Sequence, residues 1–242
     1  MESEPQMRFQ LSRDQQAALD AMDIPVWLRR ESENTVDIPE EILPSTDRVE
    51  ADAAAPAAVD VLDWRELEHA VHACSACELH AGRHNAVFGV GNQQADWLFV
   101  GEAPGAEEDK QGEPFVGRAG QLLNAMLAAL NLSREQVYIA NVLKCRPPLN
   151  RDPQMAEVEQ CEPYLLRQIQ LIQPKIIVAL GRFAAHSLLR TELAVGRLRN
   201  QQHDYHGTPL VVTYHPAYLL RNPADKKKVW DDLCLARSVV QQ

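Results

Sequence analysis

Apolar residues follow two different spacings along residues 64–242. Short, nearly continuous apolar runs, typical of strands buried on both faces, cover residues 97–100, 137–142, 175–180 and 210–213. Apolar residues at the spacing of amphipathic helices occupy residues 119–130, 155–172, 182–189 and 225–240. This alternation predicts an α/β fold, a three-layer α/β/α sandwich with a central four-stranded, mainly parallel sheet.

The first 63 residues lack this alternation. Residues 1–30 form an N-terminal extension in which residues 7–30, with the capping pattern Ser12-x-x-Gln15, predict a short amphipathic helix. That helix either packs on the domain or docks a partner protein. Residues 31–63 are acidic and rich in Ala and Pro, which predicts a disordered linker. We expect the folded domain over 64–242.

The net charge of −10 comes from the N-terminal part of the chain. Residues 1–63 hold 15 acidic and 5 basic side chains, whereas residues 64–242 hold 19 of each. The neutral domain is therefore compatible with a nucleic-acid partner, whose phosphates repel an acidic surface. The sequence shows neither a membrane-length apolar run nor a signal-peptide pattern, so we expect a cytoplasmic protein that does not contact membranes. We also expect a monomer.

The polar residues that follow the predicted strands indicate where the site lies. Ligands of open parallel sheets bind at the carboxyl ends of the strands. The first predicted strand leads into Gly101-Glu102-Ala103-Pro104-Gly105, and the second ends around Asn141. The fourth leads into Tyr214-His215-Pro216. We therefore expect these segments to meet at one edge of the sheet.

Four of the five cysteines have the spacing of metal ligands. Cys74-x2-Cys77 is followed by Cys145 and Cys161. Thiols of a cytosolic protein stay reduced and can bind metal. The donor set suits either a tetrahedral zinc ion or an iron-sulfur cluster, and spacing does not choose between them.

Four segments together resemble the iron-sulfur (family 4) uracil-DNA glycosylases of bacteria and archaea. They are Gly101-Glu102-Ala103-Pro104-Gly105, Gly112-Glu113-Pro114-Phe115-Val116-Gly117-Arg118-Ala119-Gly120, Asn141-Val142-Leu143-Lys144-Cys145-Arg146-Pro147-Pro148 and His215-Pro216-Ala217-Tyr218-Leu219-Leu220-Arg221. The resemblance runs from about residue 64 to 239. It implies excision of uracil from DNA, leaving an abasic site for base excision repair.

The resemblance also implies a cofactor and a set of roles. Cys74, Cys77, Cys145 and Cys161 would hold a structural 4Fe-4S cluster. Uracil would stack on Phe115, Asn141 would read the base edge, and His215 would face the uracil O2 atom.

The residues themselves support this chemistry. A base inside a duplex must be flipped out before its glycosidic bond can be cut. An aromatic ring such as Phe115 can stack the flipped base, and the amide of Asn141 can accept and donate hydrogen bonds at once. His215 can donate to the charge that develops on the leaving base. Gly101, Ala103 and Gly105 complete the predicted base-binding segment.

The carboxylate that orients the attacking water has two candidates, and a third acid has another predicted role. Glu102 at the strand end is our first candidate and Asp109 the second, while we expect Glu108 to shape the pocket against the methyl group of thymine. The best-known uracil glycosylases of another family have an aspartate where this chain has Ala103. The motif therefore does not assign the base.

Two further segments predict contacts with DNA. Leu219 and Leu220 are apolar wedges of the kind that proteins insert between base steps, and Arg221 can bind the neighbouring phosphate. Arg146 and Arg151, in the Pro-rich loop between the third and fourth cysteines, can present cations to phosphate.

Two other functions compete with the glycosylase. A non-catalytic nucleic-acid-binding module would have lost Asn141 or His215, and both are present. A relative that excises hypoxanthine or mismatched thymine would have an altered first motif, but Glu102 and Gly105 are present. The site motifs contain no lysine placed to form a Schiff base with the sugar, so we expect a monofunctional glycosylase.

Overall fold

A computed structural model describes residues 59–241 of the protein and shows the predicted α/β/α sandwich. Within these residues six strands form one sheet in the order β1-β3-β2-β4-β6-β5. The strands are β1 (Val90–Gly91), β2 (Trp97–Gly101), β3 (Tyr138–Asn141), β4 (Ile176–Leu180), β5 (Gln202–Tyr205) and β6 (Thr208–Thr213). The four inner strands are parallel, as predicted.

The prediction of four strands missed both edge strands. β1 pairs antiparallel with β3, and β5 pairs antiparallel with β6. β1 has two residues, and β5 reads Gln202-His203-Asp204-Tyr205, in which one residue is buried. An edge strand exposed in this way needs no apolar run, so hydrophobic spacing gave no signal for it.

The helices lie on both faces of the sheet. They are α1 (Trp64–Ala73), α2 (Ala106–Gln111), α3 (Arg118–Ala129), α4 (Met155–Ile172), α5 (Arg182–Leu189), α6 (Val195–Leu198), α7 (Pro216–Arg221) and α8 (Lys226–Val240). The predicted helices correspond to α3, α4, α5 and α8 within one residue at each end. Within residues 59–241 the apolar spacing therefore located four of the five helices of eight or more residues and missed α1, together with the three helices of four to six residues.

Two apolar cores fill the spaces between the layers. Alternate residues of each inner strand face opposite sides of the sheet, and every residue of β2, β3 and β4 is buried. One core contains buried residues of α4 and α5, and the other contains buried residues of α3 and α8. Two covered faces explain why the inner strands read as continuous apolar runs rather than as alternating ones.

The described residues begin with a short 3-10 turn, Val59–Val61, before α1. Asp63 caps α1, since its Oδ1 accepts a hydrogen bond of 2.8 Å from the Glu66 backbone N–H while Glu66 accepts one from the Asp63 N–H. The Arg167 side chain donates to the Leu62 carbonyl at 2.7 Å. The predicted extension 1–30, and the predicted linker as far as residue 58, lie outside the described residues.

A buried acid holds the end of β6, the strand that leads into His215. Asp232 of α8 is fully buried and accepts a hydrogen bond of 2.7 Å from the Thr213 hydroxyl. It also accepts from the Asn200 N–H and forms an ion pair of 3.0 Å with Arg199. Such a network resists displacement, because removing one partner leaves a buried charge unpaired. It fixes the position of the strand end beside the site.

Along residues 59–241, none of the helices combines the length and the apolar character that crossing a bilayer requires.

Candidate active site

A cavity of about 460 Å³ opens at the carboxyl ends of β2, β3 and β6. Five predicted site residues from the first three motifs line it, together with Glu108 of α2: Glu102, Ala103, Gly105, Phe115 and Asn141. Three predicted residues from the two later loops also line it: Arg151, His215 and Arg221. The sheet thus brings together segments that are more than a hundred residues apart in the chain.

Asn141 ends β3 with its side chain buried in the wall of this cavity. The residue is 2% exposed, and within residues 59–241 its Oδ1 has no hydrogen-bond partner. A Cβ atom on Gly101 would lie 2.3 Å from this Oδ1 and 2.6 Å from Cζ of Phe115, so only hydrogen fits there. Gly101 thereby lets the amide and the ring approach the backbone of β2 closely.

Phe115 is a fixed wall of the cavity. Its backbone φ is 55°, a left-handed conformation that is strained for an aromatic residue. Arg134 donates hydrogen bonds to the carbonyls of Pro114 and Phe115, the second at 3.4 Å. A Cβ on Gly120 would overlap the Phe115 carbonyl at 1.7 Å, so α3 can pack closely against this turn. Together these contacts hold the ring 5.5 Å from the imidazole of His215, centroid to centroid.

Arg134 was not among the predicted site residues. It lies in a short 3-10 turn before β3, outside all four motifs. Burial lowers the pKa of its guanidinium below the usual value for arginine. Its only sequence signal is a lone arginine in a polar connection, and that signal is too common to single it out.

Glu108 holds the segment that carries Phe115. Its Oε1 accepts hydrogen bonds from the backbone N–H groups of Val116 and Gly117, at 3.0 and 3.1 Å. These N–H groups lie at the amino end of α3, where a carboxylate is favourable. Glu108 also lines the cavity. Its contacts identify a positioning role that the sequence did not predict, and its predicted role against the thymine methyl group stays a prediction.

Asp109 faces away from the cavity, which corrects its prediction as the second catalytic carboxylate. The residue is 1% exposed and does not line the cavity. Its Oδ1 accepts from the backbone N–H of His84 at 2.9 Å, and its Oδ2 lies 2.7 Å from Nδ1 of the same histidine. The turn of α2 therefore points Glu108 towards the site and Asp109 towards the segment before β1.

Glu102 is a half-buried carboxylate that faces the cavity. Burial raises its pKa from the ordinary 4.5 to about 7, and the negative charge of Asp152 adds to this effect while Arg182 opposes it. It also borders a second, largely apolar cavity of about 330 Å³. A carboxyl group that titrates near neutral pH can take a proton from water at that pH.

His215 begins α7 with its imidazole in a defined tautomer. Its Nδ1 accepts a hydrogen bond of 3.1 Å from the Ala217 N–H, so the proton of the neutral ring lies on Nε2. Burial, with the positive charge of Arg221 as a second cause, lowers the pKa of His215 from 6.5 to about 4, although Glu108 opposes the shift. The cavity therefore contains a neutral N–H donor.

The two predicted wedge leucines have different environments. Leu219 is 1% exposed and packs in the core beside α3 and α8, which corrects its prediction as a DNA wedge. On a helix, adjacent residues point about 100° apart, so Leu220 faces solvent and is 40% exposed. Arg221 is exposed and lines the cavity.

The two arginines of the Pro-rich loop are engaged with the protein. Arg146 donates to the Asn150 side chain at 2.7 Å and does not line the cavity. Arg151 lines the cavity but forms a bidentate ion pair with the buried Glu157, at 2.9 and 2.5 Å. Its charge is therefore largely neutralised, and Arg221 is the more available cation for a phosphate.

Cys74, Cys77, Cys145 and Cys161 line one small cavity beside this site. Arg83 donates to Sγ of Cys145 at 3.0 Å, and the Lys144 N–H donates to Sγ of Cys161 at 3.2 Å. In the described part of the chain, no group of three or more His, Cys, Asp or Glu side chains has an arrangement that could hold a single metal ion.

Lys144, which the sequence did not single out, lies between the two cavities. Its side chain lines the cysteine cavity and is 2% exposed. Its ammonium donates to the Asn141 carbonyl at 2.9 Å and to the Gln168 side chain at 2.7 Å, both neutral acceptors. Burial lowers the pKa of Lys144 to about 8, while the neighbouring cysteines oppose this shift. A buried cation here favours negative charge on the sulfur atoms.

The amino-acid sequence is similar to those of known uracil-DNA glycosylases. The family model described as the uracil DNA glycosylase superfamily matches residues 88–234. A type-4 uracil-DNA glycosylase of Archaeoglobus fulgidus is 45% identical over 175 residues, which cover 69% of this chain and 88% of that protein. One of Thermotoga maritima is 44% identical, with 71% and 92% covered. A type-5 uracil-DNA glycosylase of Pyrobaculum aerophilum is 31% identical, with 53% and 64% covered.

We expect the His215 ring to stay neutral in the folded protein down to about pH 5, because its pKa of about 4 lies below the ordinary 6.5. Nitrogen-detected NMR of the imidazole should show a proton on Nε2 and none on Nδ1. Arg221→Gln should raise the pKa but leave it below 6.5, because burial remains the larger cause. Titration of the native ring near 6.5, or a proton on Nδ1, would contradict the assignment.

The lowered pKa of His215 also makes the free energy of unfolding depend on pH. Above pH 6.5 the folded and unfolded chains both hold a neutral His215, so its contribution is complete there. As the pH falls from 6.5 towards 4 the unfolded chain binds a proton that the folded chain does not, and stability is lost.

Proposed function

The chain belongs to the type-4 uracil-DNA glycosylases of the uracil DNA glycosylase superfamily, and on that premise we propose that this cavity excises uracil from DNA. One observation carries the proposal. Asn141, whose buried Oδ1 is unpaired within the described residues, lines the same cavity as Phe115 and the neutral His215. An amide, an aromatic face and a ring N–H donor are the groups that recognition of a flipped pyrimidine requires.

Asn141 is suited to reading the edge of uracil. The base presents an N–H donor at N3 and a carbonyl acceptor at O4, and an asparagine amide offers an acceptor and donors in the same plane. The unpaired Oδ1 can accept from N3–H, while the amide nitrogen donates to O4. Cytosine presents an acceptor at N3 and donors at N4, so it mismatches an amide held in this orientation. Phe115 provides a stacking face for the base.

His215 acts on the leaving base. Breaking the bond between N1 and C1′ leaves the electron pair on uracil, and negative charge accumulates at O2. The Nε2–H of His215 can donate to this oxygen without transferring its proton, because the ring is already neutral. A donor fixed before the reaction stabilises the transition state without reorganisation.

Glu102 orients the attacking water. The water oxygen bonds to C1′ as the bond to N1 breaks, and its proton passes to the Glu102 carboxylate. A pKa of about 7 leaves a substantial fraction of Glu102 ionised at neutral pH and makes that fraction basic enough to accept the proton. The products are uracil and an abasic deoxyribose. No lysine of the described residues lines the cavity, which supports hydrolysis rather than Schiff-base chemistry.

Contacts with DNA come from the rim of the cavity. Arg221 is exposed there and suits the phosphate beside the flipped nucleotide, and Leu220 can enter the space that the base vacates. Arg146 and Arg151 contribute a weaker cationic surface, because side chains of the protein already engage both. From the sequence alone, we also propose that the protein is a cytoplasmic monomer and that residues 1–30 bind a protein partner.

The cysteine cavity suits a 4Fe-4S cluster. Burial raises the pKa of the Cys161 thiol to about 12, so a thiolate there requires positive charge nearby. Lys144 supplies part of that charge, Arg83 acts in the same way on Cys145, and bound iron would supply the rest. We assign Cys74, Cys77, Cys145 and Cys161 as the ligands. When bound, the cluster ties the segment after α1 to the loop after β3 and to α4.

Incubation with a uracil-containing oligonucleotide followed by alkali tests the activity directly. We expect strand scission with the native chain and a loss of two to three orders of magnitude in Asn141→Ala, roughly the effect of removing one preorganised donor. Asn92→Ala, at an exposed residue outside the cavity, is the control and should cleave normally. If the native chain leaves the uracil-containing oligonucleotide intact, the proposed glycosylase activity is wrong.

The rate of excision should rise with pH and level off above about pH 7, because Glu102 must lose its proton to act. Single-turnover rates between about pH 5.5 and 8.5 measure this profile. Glu102→Gln should be slow and should lose the rising limb. Glu107→Gln, an exposed residue outside the cavity, should retain it. A rising limb that persists in Glu102→Gln would remove Glu102 as the base.

Anaerobically purified protein should be brown and contain about four iron atoms per chain. Cys161→Ser should lose iron and visible absorbance, since it removes a proposed ligand. Cys234→Ser changes the one cysteine outside the cavity and should keep both. Stoichiometric zinc without iron in the native protein would exclude the cluster.

A further inference from the structure

Leu149 is an exposed apolar side chain at the rim of the cavity. It is 95% exposed, and it lies at the tip of the loop between Cys145 and Cys161. Pro147 on one side, and Asn150 and Arg151 on the other, line the cavity, so Leu149 stands at its mouth. An apolar side chain so fully exposed gains nothing from the fold itself.

The backbone at Leu149 is strained as well. Its φ is 54°, and Asn150 follows with the same value. Asparagine tolerates this left-handed conformation, but leucine rarely adopts it. The Asn150 N–H donates to the Pro147 carbonyl at 3.0 Å, so Leu149 takes the third position of a turn, where a positive φ favours glycine. Both the exposure of the Leu149 side chain and its positive φ therefore lower the stability of the folded protein.

Prolines and hydrogen bonds restrict the conformation of the loop that carries Leu149. Pro147 and Pro148 restrict its first half. Arg146 donates to the Asn150 side chain at 2.7 Å, and the Arg151 N–H donates to the Pro148 carbonyl at 3.1 Å. The bidentate pair of Arg151 with the buried Glu157 fixes its far end. A fixed apolar tip loses little conformational entropy when it is inserted between bases.

We propose that Leu149 is a DNA-inserting residue that enters the base stack beside the flipped uracil, on the rim of the cavity formed by the Pro-rich loop. This inference rests on the proposed uracil excision and deepens it. The loop and α7 both contribute residues to the lining, and each presents an exposed leucine, Leu149 and Leu220. An apolar side chain between base steps unstacks them and so lowers the cost of keeping a nucleotide extruded. Insertion therefore favours extrusion of the nucleotide only in DNA whose bases are stacked and paired.

Two substitutions separate insertion from a structural role. Leu149→Gly removes the side chain and relieves the strain at positive φ, so its melting temperature should equal or exceed that of the native protein. Leu149→Ala removes the side chain and keeps the strain. Both variants should lose activity on duplex DNA to the same degree, although they differ in stability. Val61→Ala truncates another exposed apolar residue, outside the cavity, and should change nothing.

The substrates supply the second comparison. For both Leu149 variants, kcat/KM should fall about tenfold on uracil paired with adenine. The fall should be smaller on uracil mispaired with guanine and absent on single-stranded DNA, because the cost of extrusion decreases in that order. Equal losses on all three substrates, or no loss on the paired duplex, would overturn the proposal. A native chain that excises uracil from none of them would instead overturn the proposed function.

Discussion

The site depends on one close contact, that of Gly101 with Asn141 and Phe115 at the carboxyl ends of β2 and β3. A methyl group on Gly101 would overlap both neighbours, so the pocket needs a residue without a side chain at this position. The contact buries an amide oxygen that has no partner within residues 59–241, at a cost of about 1–3 kcal/mol. A ligand that donates to this oxygen recovers that cost. In the proposed function, that ligand is a base with a hydrogen-bond donor at the matching position.

Strain and electrostatics around this contact support the same chemistry. Phe115 is held in a left-handed conformation by contacts made through its backbone, and its ring is left to form a wall. Burial acts in opposite directions on the two titratable groups, raising the pKa of Glu102 to about 7 and lowering that of His215 to about 4. Both shifts disfavour the charged form. The cavity thus contains a carboxyl group that titrates near neutral pH and a neutral imidazole.

The cysteine cavity and the active site share one segment of chain. Asn141 ends β3, and Lys144, three residues later, donates to the Asn141 carbonyl while its side chain lines the cysteine cavity. The same segment continues through Cys145 into the Pro-rich loop that reaches the rim. Whatever fixes the cysteines therefore also fixes the backbone that carries the amide and the rim, because few residues separate them.

The sequence by itself determined the inner sheet, the helices α3, α4, α5 and α8, and the edge at which the site lies. Strands buried on both faces must be apolar throughout, and parallel strands must place their carboxyl ends together. Asn141 and His215 were identifiable because they stand at or just after these ends, and Phe115 because its motif resembles that of the uracil-DNA glycosylases.

Only the tertiary structure decided where individual side chains point. Asp109 turns towards His84 although the adjacent Glu108 faces the cavity, and Leu219 enters the core although Leu220 is exposed. Arg134 reaches the carbonyl of Phe115 from nineteen residues away. Local spacing encodes the burial of an element, but the direction of one side chain depends on the helix phase and on partners distant in the chain. The direction of each side chain is therefore settled only when the helices have packed on the sheet.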